Sequence, residues 1–573
     1  TDKSFVMRYI RQLFIFAWML MEIPAMACGK TRITINTQED FDRMTASIEK
    51  ALEEGARQIE VVIGTGTFYF RNNQLRLEGK KYKNVKLRVL GKGTVIMSKG
   101  ADYFDGSAYT GQFRVDNAVV AGGRLVPVWS DVMEAEGAVE VVDEEAHLCR
   151  VKCKGLANMT EELLKNAYIR IPQWFLMNSY KISKIKGGYA YFTYRGLQKI
   201  PGVGWNVNDD CHYGGVKNVR YFLCNVGDDD KSFRIVDGKV RLPKGVKKIH
   251  ECTAYQFCTL KDCEFKSIRI SGLTIVGNAW YMSYLMSLEN VATDAIKIND
   301  CSFECLESNV ISIKKTPHVT IANCTFKNCY RGCVYSDIDS QNTTVTKCRF
   351  ERVGLDFENT SAVRCQGSNY LIADNAFLDY GYCAVALGYG KTRRADQIIS
   401  GVTERNTISF SPDYVKQYKG SMLMDGGAIY VMTQNDQCVI RYNNITGHTG
   451  MKDNRGIFCD DGAYNVEIYG NVVTRIENSY CIDSRRVAGV EKNGSRGANV
   501  TKTNVNNKVY ENIVDGTIRF EPREGDDNGC MLGENYVVKA KTANNKVTVS
   551  KSDYKRIKNS QSWKYVRNVV SQK

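Results

Sequence analysis

The sequence predicts an all-β chain: a right-handed parallel β-helix with an N-terminal cap helix and an inserted small β domain. Three observations predict it. First, from residue 269 onward a short step recurs, in which a polar residue, an Asn or Cys and an apolar residue follow one another. It reads SGLTIVGN, NDCSFECL, ANCTFKNC, TKCRFERV, ADNAFLDY, ERNTISFS, YNNITGHT, YGNVVTRI and YENIVDGT. Second, its landmarks are regularly spaced. Cys301, Cys324 and Cys348 stand 23 and 24 residues apart, and Asn375, Asn406, Asn444, Asn471 and Asn512 follow at 27, 31, 38, 27 and 41. A base period near 23 with loop insertions is the mark of a solenoid whose coils stack about 4.8 Å apart. Third, Gly (48) and Tyr (32) are plentiful, Pro (8) is scarce and helix-period stretches are few, which favours strands.

The elements follow in order. Residues 1–28 read as an export signal: Arg8 and Arg11, the apolar run LFIFAWMLM, then small residues ending at Cys28. Cys28 after Ala27 resembles a bacterial lipoprotein box. The expected location is the periplasm or cell surface, with an outer-membrane lipid anchor at Cys28 and plain secretion both open. Residues 29–103 hold the cap helix and first coils. Thr37 with Asp40 forms a capping box, Phe41, Met44, Ile48 and Leu52 make one apolar face, and Gly55 ends the helix. Such a helix suits the open end of a solenoid, whose edge otherwise pairs with other chains. Residues 104–250 break the repeat with pieces such as YKISKIKGGYAYFTY and the hairpin IVDGKVRL, and read as the inserted β domain. Residues 251–540 are the main β-helix, with insertions growing between 388 and 502, and residues 541–573 form a C-terminal cap or tail.

Composition narrows the function classes. Twenty cysteines in an exported chain suggest disulfides, yet many fall inside apolar strands and read as small buried residues. Cys149 with Cys153 and Cys252 with Cys258 are the pairs close enough in sequence for local bridges. No His/Cys set has zinc spacing, and there are five His. The net charge is +15. Export argues against nucleic acid, so a basic surface favours acidic glycans or anionic surface polymers. Its even spread equally suits a large solvated surface. A monomer is expected.

The cap helix with its GTGTF strand, the module RYFLCNVGDDDKSFRIVDGKVRLP and the pair DGGAIY … GIFCDDG together resemble bacterial right-handed parallel β-helix carbohydrate-active enzymes. Closest among these are glycoside hydrolases acting on xylosides or fucosides. The resemblance implies a carbohydrate substrate and paired carboxylates on adjacent coils. The matching positions are Asp425 of DGGAIY and Asp460 and Asp461 of GIFCDDG.

The residues can also be read from their chemistry. Cleaving a glycosidic bond takes one carboxylic acid and one carboxylate. Aligning Ile429 with Ile457 puts Met432 and Thr433 beneath Asp460 and Asp461, and Asp483 follows Asp460 by 23 residues. A column Asp337, Arg364, Asp460/Asp461, Asp483 is expected, with Arg485 close by. The catalytic candidates are therefore Asp460, Asp461, Asp425 and Asp483, against turn capping and solvated edge decoration. The substrate-binding candidates are Arg364 and Arg455, able to bind hydroxyls or to neutralise the acids, Glu404 at a turn, and the aromatic residues Tyr389, Tyr430, Tyr464 and Trp174, which solenoid packing equally explains. No cofactor is called for. Calcium belongs only to the alternative of a polysaccharide lyase on an acidic glycan, where Asp453, Asp460 and Asp461 can hold a cation. The other alternative is a non-catalytic glycan-binding protein.

Overall fold

The computed structural model describes residues 29–111, 119–121, 124–153, 156, 163–173, 176–194, 218–226, 231–279, 283–357, 359–388, 399–418, 420, 422–432, 437–448, 454–460, 463, 465–477, 479–484, 506–521, 529–543 and 545–572. Each coil contributes one strand to an eleven-stranded parallel sheet, the front sheet, and two strands to a 23-stranded sheet that wraps the rest of the coil. One coil runs Asn309–Lys314, Val319–Ala322 and Thr325–Cys329. The next runs Val334–Ser336, Thr344–Thr346 and Arg349–Val353. Every step between equivalent strands is parallel and in register.

The recurring step of the sequence is the bend between the second and third strands. One residue there adopts positive φ: Asp300, Asn323, Lys347, Asp374, Arg405 and Tyr442, with φ between 53° and 59°. The left-handed conformation turns the chain without using a hydrogen-bonding group, at a cost of roughly 1–2 kcal/mol per non-glycine residue. The residue after it points inward and repairs the exposed backbone. In the early coils this is Cys301, Cys324 and Cys348, whose thiols rest on carbonyl oxygens two residues back. In later coils it is Asn375, Asn406, Asn443, Asn471, Asn512 and Asn535. Asn375 Oδ1 accepts from the Cys348 N–H, and from Asn406 onward each asparagine oxygen accepts from the backbone N–H and side-chain amide of the asparagine one coil before it. The ladder member is Asn443, not Asn444. Asn444 begins the following strand opposite Thr407 and bonds instead to the Asn545 carbonyl.

Inside the coil, equal positions stack. Phe303, Phe326, Phe350 and Phe377 form a column with ring centroids 4.9, 4.8 and 4.6 Å apart, continued by Ile408, Ile445, Val473 and Val514. The cap forms as the capping box predicts, with Thr37 Oγ1 accepting from the Asp40 N–H at 3.1 Å. It is two short helices, Gln38–Asp42 and Met44–Glu53, broken at Arg43. Phe41, Met44, Ile48 and Ala51 are buried, and Phe41 lies against Phe68 and Phe257. Leu52 is only partly buried, because the break rotates the face by about one residue.

The strands Lys86–Ser98 and Ser267–Asn278 are direct neighbours although some 170 residues separate them in the chain. Between them stands a seven-stranded, mostly antiparallel sheet that includes Leu148–Lys152, Tyr168–Gln173, Leu176–Lys186, Tyr189–Thr193 and Arg220–Cys224. Strand Arg220–Cys224 shows why this sheet docks. Tyr221 and Leu223 face the sheet's own core, while Phe222 and Cys224 join the core of the coil, the two-residue alternation of a strand buried on both faces. The local bridges do not form: Cys149, Cys153, Cys252 and Cys258 are free and buried. Four residues along an extended strand put the Cys149 and Cys153 Cα atoms roughly 13 Å apart, beyond the reach of a disulfide.

Candidate functional site

The front sheet alternates inward and outward residues. Val363, Val385, Ile429, Ile457 and Ile482 form the inward column and are fully buried. The neighbouring outward column runs Tyr335, Arg364, Ala386, Tyr430, Phe458, Asp483 and Arg519. It carries the densest set of charged and aromatic side chains near the long insertions.

The register corrects the expected acid column. Asp483 pairs with Phe458, two residues before Asp460, so Asp460 and Asp483 do not occupy successive rungs. Arg364 belongs to the Asp483 column. Asp337 caps a turn instead, accepting from the Lys315 N–H and the Ser340 hydroxyl. Asp425 and Asp460 are also apart. Gly426 pairs with Asn454 and Val431 with Cys459, which places them at opposite ends of these strands, on the order of 20 Å apart.

At one end, Asp425 has φ 59° and precedes Gly426 and Gly427. A Cβ at Gly426 would meet the Tyr382 ring at 3.0 Å, and one at Gly427 would meet Phe458 Cβ at 3.1 Å. The glycines therefore admit these two rings, and the Tyr382 hydroxyl donates to the Asp425 carbonyl at 2.8 Å. Asp425 Oδ1 lies 3.5 Å from Arg455 Nη1, and Arg455 Nε donates to Asp483 Oδ2 at 3.0 Å. Arg519 Nε donates to the other oxygen, Asp483 Oδ1, at 2.8 Å. Phe458 and Tyr480 cover the guanidinium groups of Arg455 and Arg519, at 4.0 and 4.2 Å. The Asp483 side chain is wholly buried and Arg455 nearly so, whereas the Asp425 side chain is 24% exposed. Asp425 is thus the carboxylate of this network that solvent and a ligand can reach. Asp483 holds Arg455 in place.

At the other end, Asp460 Oδ2 accepts from the Tyr430 hydroxyl at 2.6 Å. Tyr430 is buried and packs edge-on against Phe458, so it orients Asp460 and offers no open stacking face. Arg364 Nη2 donates to the Asn359 carbonyl at 2.9 Å. Glu404 is not at a solvated turn and not on the front sheet. It is buried in the 23-stranded sheet, bound to Arg405 and to Arg441 Nε at 2.7 Å, and it stabilises the coil there. Asp461, Asp453, Arg485, Thr433, Tyr389, Tyr464, Trp174 and Cys28 lie outside the described residues. Tyr382 and Arg519 escaped the sequence reading. The signal for Arg519 is its place in TIRFE, one rung beyond IDS, which only the register reveals. Among the described residues no group of three or more His, Cys, Asp and Glu is placed to hold a metal ion.

His448 lies beside Asn454, at the Asp425 end of these strands, and its Nδ1 is 2.8 Å from the Tyr380 hydroxyl. Burial pushes its pKa down to about 3 from the usual 6.5. The unfolded chain therefore binds a proton that the folded chain refuses as pH falls from 6.5 toward 3. Stability is lost across that window by up to about 1.4 kcal/mol per pH unit. Asp379, raised by its own burial, opposes this in part. His448→Gln is expected to lose less melting temperature between pH 6.5 and 4 than the parent chain, measured by thermal unfolding at each pH.

No protein-family model matches the chain, and no curated protein matches it in sequence. Among solved structures, a glycoside hydrolase superposes with a TM-score of 0.55 at 13% identity, over 88% of this chain and 96% of that one. The A-module of the mannuronan C-5 epimerase AlgE6 of Azotobacter vinelandii gives 0.39 at 9% identity, over 88% and 94%. PfbA, a surface adhesin of Streptococcus pneumoniae, gives 0.37 at 11% identity, over 89% and 93%. The first likeness concerns the fold, and with the sheets described above it makes the chain a parallel β-helix protein.

Proposed function

We propose that the outward face of the front sheet is a glycan groove and that the chain hydrolyses a glycosidic bond in a poly- or oligosaccharide. The observation that carries this reading is the network Asp425–Arg455–Asp483. It presents one reachable carboxylate, backed by a buried guanidinium that a second, buried carboxylate holds rigid. In this reading Asp425, held ionised by Arg455, takes the proton of the water that attacks the anomeric carbon as the glycosidic C–O bond breaks, and the leaving oxygen takes its proton from solvent. Arg455 orients the Asp425 carboxylate and balances its charge. Asp483 and Arg519 position Arg455. Asp460, fixed by Tyr430 at the far end of the same strands, accepts from sugar hydroxyls. The likeness of the coil to a glycoside hydrolase supports the same class of reaction.

Asp425→Asn tests it. The substitution keeps the shape and the contact to Arg455 but cannot shuttle a proton. Hydrolysis of a responsive glycan is expected to fall at least ~100-fold, with melting unchanged. Asp460→Asn is expected to raise KM more than it lowers kcat. Unaltered hydrolysis in Asp425→Asn removes the proposal.

A further inference from the structure

A cleft of about 640 Å³ lies away from the front sheet, where the inserted sheet meets the coil. One wall comes from the inserted residues, including Trp129, Arg170 and Lys231. The opposite wall comes from the coil, including Lys327 and Arg352, and Tyr418 of the helix Pro412–Tyr418 closes it. Two features distinguish it from a mere packing gap. Its wall carries four cationic side chains, Arg170, Lys231, Lys327 and Arg352, against two anionic ones, Asp131 and Glu304. Lys231 pairs with Asp131 at 2.6 Å and Lys327 with Glu351 at 3.4 Å, whereas Arg352 makes no direct ion pair among the described residues and faces the Tyr418 hydroxyl, with Asp379 acting on it from further off. The walls also carry aromatic faces. Trp129 lies against the Arg170 guanidinium at 4.3 Å, and it is only 8% exposed. Its indole N–H is buried with no acceptor among the described residues.

From this we propose that the cleft is a second glycan site, selective for a sugar that bears a carboxylate. The inference rests on the carbohydrate reading above and adds to it the charge of the substrate. A pyranose ring presents an apolar face to aromatic side chains and hydroxyl groups to polar lining side chains such as Asn328 and Gln417. Its carboxylate meets the guanidinium of Arg352, whose planar fork suits that group. Gln417 and Tyr418 end the helix that leads into Asp425, so an occupied cleft borders the segment that carries the proposed catalytic carboxylate.

The test is direct binding to the purified full chain, read by calorimetry and by saturation-transfer NMR, with galacturonic acid and glucuronic acid as probes and galactose and glucose as their neutral counterparts. The uronic acids are expected to bind at least tenfold tighter than the neutral sugars. Arg352→Gln and Lys327→Gln, both at partly exposed positions, are each expected to weaken uronate binding without lowering the melting temperature, Arg352→Gln by tenfold or more. Asp425→Asn is expected to leave it unchanged. Equal binding of acidic and neutral sugars, binding lost in Asp425→Asn but kept in Arg352→Gln, or no binding of any probe overturns the proposal. The readout needs no turnover, so uronate binding at the cleft together with unaltered glycan hydrolysis in Asp425→Asn would sink the hydrolase reading and leave this one standing.

Discussion

Replacing Arg455 with methionine is expected to destabilise the chain by roughly 2–3 kcal/mol, below the cost of stranding a buried charge outright because Arg519 still pairs with Asp483. Asp483 is wholly buried; Arg519 donates to both of its oxygens and Arg455 Nε to Oδ2. Without Arg455, Oδ2 loses its Nε donor and Asp425 loses its cation, while the methionine chain still fills the space over Phe458. The loss is therefore electrostatic more than volumetric. A second variant separates these terms. Arg455→Met combined with Asp483→Asn removes the carboxylate that has lost one of its two cations and should recover part of the melting temperature, although Arg519 then loses its own anion. If Arg455→Met melts like the parent chain, the network is not what fixes Asp425, and the geometry proposed for the groove loses its foundation.

Asn443→Ala is expected to cost about as much or more, for a different reason. The Asn443 oxygen accepts from the Asn406 N–H at 3.1 Å and from the Asn406 amide at 2.9 Å. Its amide donates to the Thr403 carbonyl and to Asn471 Oδ1. Alanine leaves two buried donors and a carbonyl unpaired in a wall that water does not reach. At about 1–3 kcal/mol for each of the three stranded groups, a total of roughly 3–9 kcal/mol follows. Asn444→Ala is the matched control. Its side chain makes one bond, to Asn545, and its loss should cost about 1 kcal/mol. Thermal melting of the two variants ranks them, and the reverse order would mean that the ladder does not carry this wall.

These two sites also mark what the sequence could disclose. The coil was legible because its cause is local and repeated. A residue that turns the chain is followed by a Cys or Asn that satisfies it, and this pattern needs no knowledge of distant contacts. The choice of Asn444 over Asn443 failed because adjacent asparagines look alike in a string. Only the hydrogen bond to the next coil separates them. The same one- or two-residue ambiguity misplaced Asp483 under Asp460. Coil lengths vary with each insertion, so a register carried by counting residues slips at every loop, and in a sheet a slip of one residue exchanges the inner face for the outer. Asp425 and Arg455 were legible as candidates, since two glycines beside an acid signal an unusual approach. Their link through Asp483 to Arg519 was not, because it joins four successive coils. Glu404 shows the converse. An acid that looked like turn decoration is buried between arginines from its own and the next coil.

The groove claim is tested most directly by incubating the chain, Asp425→Asn and Asp460→Asn with a panel of plant, host and algal glycans while following reducing ends and the ultraviolet absorbance of unsaturated uronates together. The account predicts new reducing ends without that absorbance, lost in Asp425→Asn and retained with weakened binding in Asp460→Asn. Absorbance from unsaturated products, or reducing ends that persist undiminished in Asp425→Asn, would contradict it.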